Sequence, residues 1–593
     1  MLPTILKKIN NSLDSIVFLL PAAIFFVLSN FIIITILYLY SGNLTTEILK
    51  WLQFFALSLI ILYFLKKLNR FLALAVVFII YYLYLVLIAY FLFTETKFDF
   101  SFFARSASDM KNVLPQFTYY FLAIFFICLV NTLIVNKFIL ILTNKHKKLP
   151  ILISAAFILL TFFSNNGRLN NELVAFARTI YKNDKIINYY QDFYGGLVQK
   201  SVADRKIIEN ETEKLPTDKL PPYLDNIIIL HLESLNGFLV NNKNTPVLYE
   251  IASQGIFFPR FYANSVQTTL AYESMLCSLP SSFDLNLVNN QHINEIICLP
   301  NFLKKFGYKN YFLKGGIVGD KKFISAIGFD EFHNNDILEE EKLKYDWGWR
   351  EDIFYKEAFQ FLKKNNAEKK NLIYIETGAT NHWPFKTPAG LENQVPFPKP
   401  LNHQERLTNT TYLQDKYLAI AWQNINELFP EKNYTLLILG DHSWPAEFHP
   451  KNNFNAKEAF EENFMTSMVM IIGDQYENLV INNKYSQMDI LPSVIDLFGL
   501  KLPPDILRRS FLPEIQRAVT APAAIIQIQP FNDKFINLIK DNTKYQYNSD
   551  SNKFILCNLD DDPDEKNCQT ISQNPEDNLS LIKKLLLIDN TNN

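Results

Sequence analysis

NIIILHLESL, residues 226–235, follows an Asp225-Asn226 turn, runs through four aliphatic residues and breaks on Glu233 where a short strand should end. A continuous apolar run of this length, bounded by turn residues, reads as a strand buried on both faces, as strands of a helix-covered parallel sheet are. Glu233 then lies beyond a carboxyl end, the edge at which open α/β sheets bind ligands. A second such run, residues 434–440 (YTLLILG), is followed at once by Asp441 and His442. Two strand ends thus offer Glu, Asp and His, a divalent-metal donor set, although either end alone reads equally as a helix cap or a loop ion pair.

Outward from these runs, short apolar segments alternate with helical patterns, as in βαβ units. Strands are predicted at 256–262, 310–313, 371–376 and 469–473, and helices over 244–252, over 300–306 with Gly307 as terminator, and from Ser486 onward. This places an α/β catalytic domain at 225–520. Residues 521–593 read as a hairpin and polar tail packed on it, and the acidic run at 560–565 lacks the spacing of a calcium loop.

The excess apolar residues behind a hydrophobic content of 49% lie before about residue 165. Residues 16–40 are too long and too apolar for a signal-peptide core and lack a cleavage site, so they predict an uncleaved span. Further spans fit 48–65, 71–93, 117–135 and 149–164, each near the ~20 residues a bilayer needs. Lys7, Lys8, Lys66, Lys67, Arg70, Lys137, Lys145, Lys147 and Lys148 then fall on one side, against Lys97, Arg105 and Lys111 on the other. That asymmetry puts the N-terminus in the cytoplasm and everything after Phe163 outside an inner membrane crossed by a five-helix bundle at 1–164. Loop 94–116 reads either as an interfacial helix or as an ordinary loop, and 165–224 as a connector with helical pieces. A net charge of −2 without a basic stripe excludes nucleic acid as a partner.

Of five cysteines, Cys128 lies in an apolar run, while Cys277 with Cys298 and Cys557 with Cys568 form sequence-local pairs on the external side. Disulfides persist there; reduced, buried thiols are the alternative, since connectivity is not legible in a sequence.

Thr269 follows the small-polar residues 264–267 and precedes a helix-forming run. Its hydroxyl is expected at a helix N-terminus, as a cap or, beside a divalent cation, as an acidified nucleophile aimed at phosphorus or sulfur. Glu273 is four residues on, one too many for a capping box. The ordered set of Glu233, Thr269, Asn-His-Trp-Pro-Phe at 381–385, Gly-Asp-His at 440–442 and Ser-Gln-Met-Asp-Ile-Leu-Pro-Ser at 486–493 resembles the membrane lipoteichoic acid synthases, sulfatase-like members of the alkaline phosphatase superfamily. The resemblance implies that Glu233, Thr269, Asp441 and His442 hold one Mn²⁺ or Zn²⁺ ion, that Thr269 is the nucleophile, and that His382 contacts the transferred phosphate. It also implies a phospholipid donor and an envelope glycan or glycolipid acceptor. The Cys277 to Cys298 spacing is similar to that of Gram-negative members.

Three oxygens and an imidazole suit either ion, and a cation with His382 offsets charge on a trigonal-bipyramidal phosphorus. The first product is then a phosphothreonine, resolved by an acceptor hydroxyl or by water. Sulfatases use Cys or Ser in Cys/Ser-x-Pro-x-Arg, and Thr269-Leu-Ala-Tyr-Glu has neither feature, which demotes sulfate esters. The synthases read their glycerol-phosphate head group with a Trp and an Arg after the helix that Gly307 ends. Residues 314–323 contain neither, so Lys314, Lys321 or Arg350 (in Trp347-Gly-Trp-Arg) is expected to replace that cation, the alternative for each being a surface charge. The expected function is transfer of phosphoglycerol or phosphoethanolamine from phospholipid to an envelope glycan; a membrane-anchored sulfatase or phosphodiesterase is the alternative. A transporter fits less well, because the apolar segments lack polar breaks.

Overall fold

The computed structural model of the chain describes residues 70–94, 118–145 and, short loop segments apart, 185–587; the chain divides into two units, Met1–Lys182 and Asn183–Asn593. In the first unit, helices α1 (Arg70–Thr94) and α2 (Thr118–Lys145) enclose a small core of Tyr84, Leu85, Ile88 and Cys128. Asn131 Nδ2 donates to Tyr81 OH at 3.0 Å, a polar tie inside an apolar seam. These helices coincide with the spans expected at 71–93 and 117–135. The spans at 16–40, 48–65 and 149–164, and nearly all of loop 94–116, lie outside the described residues. Over the described residues, no helix is long and apolar enough to cross a membrane.

The second unit opens with α3 (Lys185–Thr212). Although it falls in the expected connector, α3 buries Ile187, Tyr190, Tyr194 and Val198 in the domain core, and Tyr190 OH donates to Ser281 O at 2.7 Å. In chain order there follow β1 (Asn226–Leu232), α4 (Pro246–Ser253), β2 (Ile256–Tyr262), α5 (Thr268–Cys277), α6 (Leu299–Lys304), β3 (Lys309–Lys314), α7 (Lys321–Ala326) and β4 (Glu331–His333). A short hairpin, β5 (Lys344–Tyr345) with β6 (Gly348–Trp349), precedes α8 (Glu351–Asn365), β7 (Asn371–Glu376), α9 (His403–Leu428), β8 (Tyr434–Gly440), β9 (Met465–Ile472), β10 (Leu479–Val480), β11 (Tyr485–Ser486), α10 (Ile490–Leu497) and α11 (Leu512–Ile515).

The main sheet has nine strands in the order β10-β2-β9-β8-β1-β7-β3-β4, with β11 also on β2. Strands β8, β1, β7, β3 and β4 are mutually parallel, whereas β9 runs antiparallel to both β8 and β2. An apolar run encodes burial and not direction, so that reversal was invisible in the sequence. Central β1 is buried along its whole length. Ile227 and Ile229 enter one core with residues of α5 and α6, and Ile228 and Leu230 enter the other with residues of α8 and α9. Two covered faces are what make 226–232 continuously apolar.

Parallel registry aligns the carboxyl ends. His231 pairs with Glu376, Leu232 with Gly440, and Lys314 with Glu376, so one sheet edge collects Glu233, Asp441, Glu376 and Lys314. Beyond the sheet, the C-terminal part is a five-stranded antiparallel sheet rather than one hairpin: β12 (Ile525–Gln529), β13 (Phe535–Lys540), β14 (Thr543–Asn548), β15 (Lys553–Asn558) and β16 (Gln569–Ser572), followed by α12 (Pro575–Leu587). Its strands are short and carry buried Gln527, Asn537, Lys544 and Gln546 where an apolar side chain would have marked them. Both cysteine pairs are disulfides, Cys277–Cys298 tying the end of α5 to the start of α6 and Cys557–Cys568 lying in the C-terminal sheet.

Candidate active site

Where β1 ends, Ser234 takes a left-handed φ of 50°. Such a conformation costs a non-glycine residue on the order of 1–3 kcal/mol and persists only where its surroundings impose it. Here it aims the Ser234 N–H at Asp441 Oδ1, 2.9 Å away, and the N–H of His442 reaches the same oxygen at 2.7 Å. Asn381 Nδ2 donates to the carbonyls of Glu233 (3.0 Å) and Ser234 (3.1 Å), and Gln414 Nε2 to that of Glu233 (3.0 Å). Gln487 Nε2 holds the other strand end through Gly440 O (3.0 Å) and Asp441 O (2.6 Å). Asn381 and Gln487, from the 381–385 and 486–493 motifs, therefore clamp backbone.

Glu233, Asp441 and His442 are buried and each presents a donor atom within 4.8 Å of the others. Burial, and then the charge of Asp441, pushes the Glu233 carboxyl well above the usual carboxylate range. Burial opposes ionisation of Asp441 too, but the imidazoles of His442 and His231 beside it hold its carboxyl well below that range. His442 Nδ1 lies 3.0 Å from Ser443 O, which can only accept, so Nδ1 carries a proton and Nε2 is turned to the carboxylates, 3.4 Å from Glu233 and 3.3 Å from Asp441. Asp441 Oδ2 is buried without a hydrogen bond. Three buried donor atoms that converge in this way, one of them an oxygen without a hydrogen bond, leave a place that a cation would satisfy. These residues therefore fit a divalent metal, and their mixed oxygen and nitrogen donors do not choose between Mn²⁺ and Zn²⁺.

The threonine that meets this group is Thr268. Its Oγ1 donates to Glu233 Oε2 at 3.2 Å and lies 3.5 Å from His442 Nε2. The sequence expectation named its neighbour, Thr269. Thr268 is the first residue of α5 and Thr269 the second; successive helical side chains diverge by ~100°, so one threonine faces the strand ends and its neighbour turns along the helix. The preceding Gln267 provides no side-chain cap, which leaves the first N–H groups of this ten-residue helix as donors beside the hydroxyl.

His382 is half-exposed at its surface yet enclosed enough that desolvation pushes it down to about 4, and it feels the charges of His442, Asp441 and Lys314. Its Nδ1 donates to Trp383 O at 2.9 Å, and the ring of Trp347 stacks on it at 4.2 Å. Gly348 permits that approach: at φ 154° its backbone lies so close to β3 that a Cβ would come within 2.3 Å of Gly315 O. Lys314 is buried, donating to Glu376 Oε1 at 2.7 Å and Tyr272 OH at 2.9 Å, which sets its charge at the sheet edge. Arg350 forms a two-pronged pair with Asp352 at 2.6 and 2.7 Å. Lys321 is exposed on α7.

Sequence reasoning overlooked Thr268, His231 and Trp347. His231 Nε2 stands 3.3 Å from Asp441 Oδ2 without completing a hydrogen bond, and its Nδ1 is 2.6 Å from Tyr374 OH. A polar residue two before Glu233, inside an otherwise apolar strand, was the available signal, since strand residues i and i+2 share a face.

Residues 225–500 match the family model described as Sulfatase, the same stretch in which the motif order lies. Over 364 residues the chain is 27% identical to lipoteichoic acid synthase of Staphylococcus aureus (strain USA300), covering 54% of this chain and 53% of that protein. The chain thus spans about half the length of the curated relatives it matches. Among solved structures it is similar to a protein in the alkaline phosphatase superfamily from Vibrio parahaemolyticus, with 17% identity, 65% of this chain and 95% of that one covered and a TM-score of 0.49. It is also similar to the lipoteichoic acid synthase LtaP from Listeria monocytogenes, with 17% identity, 64% and 95% covered and a TM-score of 0.48.

Proposed function

We propose that the protein is a metal-dependent phosphotransferase that moves a phospholipid head group, phosphoglycerol or phosphoethanolamine, to an envelope glycan or glycolipid through a phosphothreonine at Thr268. The observation that carries this reading is a threonine hydroxyl at an uncapped helix start, set against a buried Glu-Asp-His group with unfilled donor directions. Glu233, Thr268, Asp441 and His442 would hold the ion, Mn²⁺ or Zn²⁺, which when bound supplies charge that acidifies the hydroxyl and offsets the phosphate oxygens.

Thr268 Oγ1 attacks phosphorus as the P–O bond to diacylglycerol breaks; Glu233 Oε2, 3.2 Å away, receives the threonine proton, and the departing diacylglycerol oxygen takes a proton from water. The N–H groups of Thr268 and Thr269 at the start of α5 offer hydrogen bonds to the anionic oxygens, those of Leu270 and Ala271 being bonded to Gln267 O. With Nδ1–H committed to Trp383 O, the other nitrogen of His382 is an acceptor, suited to take the proton of the hydroxyl that resolves the phosphothreonine. Trp347, stacked on His382, forms a flat wall for a small polar head group, with Arg350 three residues further on. The absence of Cys/Ser-x-Pro-x-Arg supports phosphoryl over sulfuryl transfer. A lipid donor accords with the apolar N-terminal segments, read as five inner-membrane spans; α1 and α2 turn Phe71, Ile79, Tyr119 and Phe126 outward. Two disulfides support an oxidising compartment outside that membrane for the catalytic domain.

The test is full-length protein incubated with phosphatidylglycerol and phosphatidylethanolamine vesicles and a glycan extract, read by mass spectrometry. Diacylglycerol, a head-group-tagged acceptor and a phosphorylated Thr268 peptide are expected. Release of free glycerol phosphate alone would make the protein a hydrolase, and no lipid turnover alongside cleavage of sulfate esters would overturn the reading.

A further inference from the structure

We infer that the proline-rich loop at residues 395–401, VPFPKPL, is a membrane-contact element that seats the mouth of the active site on an anionic lipid surface. The inference rests on the phospholipid-donor reading and specifies how the domain reaches that donor.

Leu401 is 88% exposed, more than any other large apolar residue among the described ones, and Phe397 is 38% exposed, with the exposed Lys399 between them. An exposed leucine is unremarkable on a mobile tip, but this loop is held from below. Phe397 N donates to Asn409 Oδ1 at 2.9 Å, Asn409 Nδ2 returns a bond to Phe397 O at 2.7 Å, and Leu401 N donates to Glu405 Oε2 at 2.6 Å. Pro396, Pro398 and Pro400 fix three more backbone angles. The apolar side chains are thus presented on a pre-ordered backbone, which lowers the entropy lost on contact.

The loop is coupled to the site through α9. Asn409, which pins Phe397, is followed by Thr410, whose hydroxyl donates to Asn381 Oδ1 at 2.7 Å, and one turn later Gln414 holds the Glu233 carbonyl. Two half-buried indoles stand next to site residues. Trp383 adjoins His382, and Trp444, two residues past His442, donates from Nε1 to His403 Nε2 at 3.1 Å at the start of α9. Both pack on Leu239, Phe385 and Leu407. The projecting leucine with Lys399 and the exposed Lys386, and the half-buried indoles by His382 and His442, match the chemistry of a head-group layer, while the Glu405 carboxylate is turned to the loop backbone at Leu401 N. One leucine and part of a phenylalanine offer far less apolar surface than the ~800 Å² per partner of a stable protein interface, so the contact is one that orients a domain already anchored by its N-terminal segments.

The test uses full-length protein reconstituted in vesicles of phosphatidylglycerol and phosphatidylcholine with brominated acyl chains. Leu401→Trp should show extra fluorescence quenching over the wild type, and no added quenching overturns the proposal whatever the enzyme does. In parallel, Leu401→Asp should raise the apparent KM for vesicle phosphatidylglycerol about tenfold while turnover of a water-soluble nitrophenyl phosphodiester stays unchanged. Equal losses on both substrates would mean that the loop supports the fold rather than the membrane contact. Quenching without any lipid turnover by the wild type would retain the contact and remove the phospholipid-donor reading.

Discussion

Replacing Thr268 and Thr269 by alanine, one at a time, asks which hydroxyl does the chemistry. Thr268 Oγ1 donates to Glu233 Oε2 and lies 3.5 Å from His442 Nε2, so its loss should cost the fold only about 1–2 kcal/mol, a small part of the ~5–15 kcal/mol that holds a domain together. If that oxygen forms the bond to phosphorus, turnover should fall by about 10³-fold or more, equivalent to at least ~4 kcal/mol of barrier. Thr269→Ala removes no hydroxyl from the Glu-Asp-His group and gains slightly in helix propensity, so activity should stay within about twofold. Diacylglycerol release from phosphatidylglycerol vesicles is the activity readout, circular dichroism melting reports folding, and peptide mass spectrometry locates the phosphate. Loss of activity in Thr269→Ala with retention in Thr268→Ala would refute the reasoning, because the helix would then start one residue later than its hydrogen bonds indicate.

Chelation should abolish turnover and Mn²⁺ or Zn²⁺ should restore it, while Glu233→Gln, which removes a charge at unchanged size, should be purified with reduced metal content by elemental analysis. Serine replacement of Cys277 with Cys298, or of Cys557 with Cys568, opens loops with separations of 21 and 11 residues, and each should lower stability by about 3 kcal/mol in the chain-entropy model, read from urea midpoints. Glu351, raised by burial from 4.5 to about 7, accepts bonds from the N–H groups of Ala379 and Thr380. An acid whose folded pKa is raised stabilises fully below 4.5 and loses that contribution as pH rises to about 7. The unfolding midpoint should therefore drop across that window by an amount equivalent to about 3 kcal/mol, and Glu351→Gln should flatten the drop. A wild-type midpoint independent of pH there would contradict the buried, protonated state.

Strands were legible where two buried faces made them so. The runs at 371–376 and 434–440 coincide with β7 and β8, because nothing but continuous aliphatic sequence suits a strand covered on both sides. The C-terminal sheet was less so: β14, TKYQYN, buries Lys544 and Gln546, and a strand whose inner face is polar has no period-two signal to read. Lys544 Nζ is accommodated by Glu565 and the Ala459 carbonyl, contacts over 21 and 85 residues of sequence that no local pattern announces.

At the site, the separation between what sequence shows and what it hides is a matter of length scale. Glu233 and Asp441 were readable because a strand end fixes which residue comes next at the sheet edge, and parallel registry of Leu232 with Gly440 brings the two ends side by side. Thr268 and Thr269 were not separable, since a one-residue difference in where a helix begins redirects a side chain by ~100° while leaving composition and periodicity unchanged. Trp347 was readable as a residue and not as a neighbour of His382: its position depends on Gly348 lying against Gly315, a backbone approach that only a glycine at φ 154° allows. A Gly348→Ala protein would therefore displace the tryptophan without touching the Glu-Asp-His group. It should keep its metal content and its activity toward a nitrophenyl phosphodiester while losing affinity for the lipid head group. Equal loss on both substrates would show that the hairpin carries the fold of the crevice and not the reading of the head group.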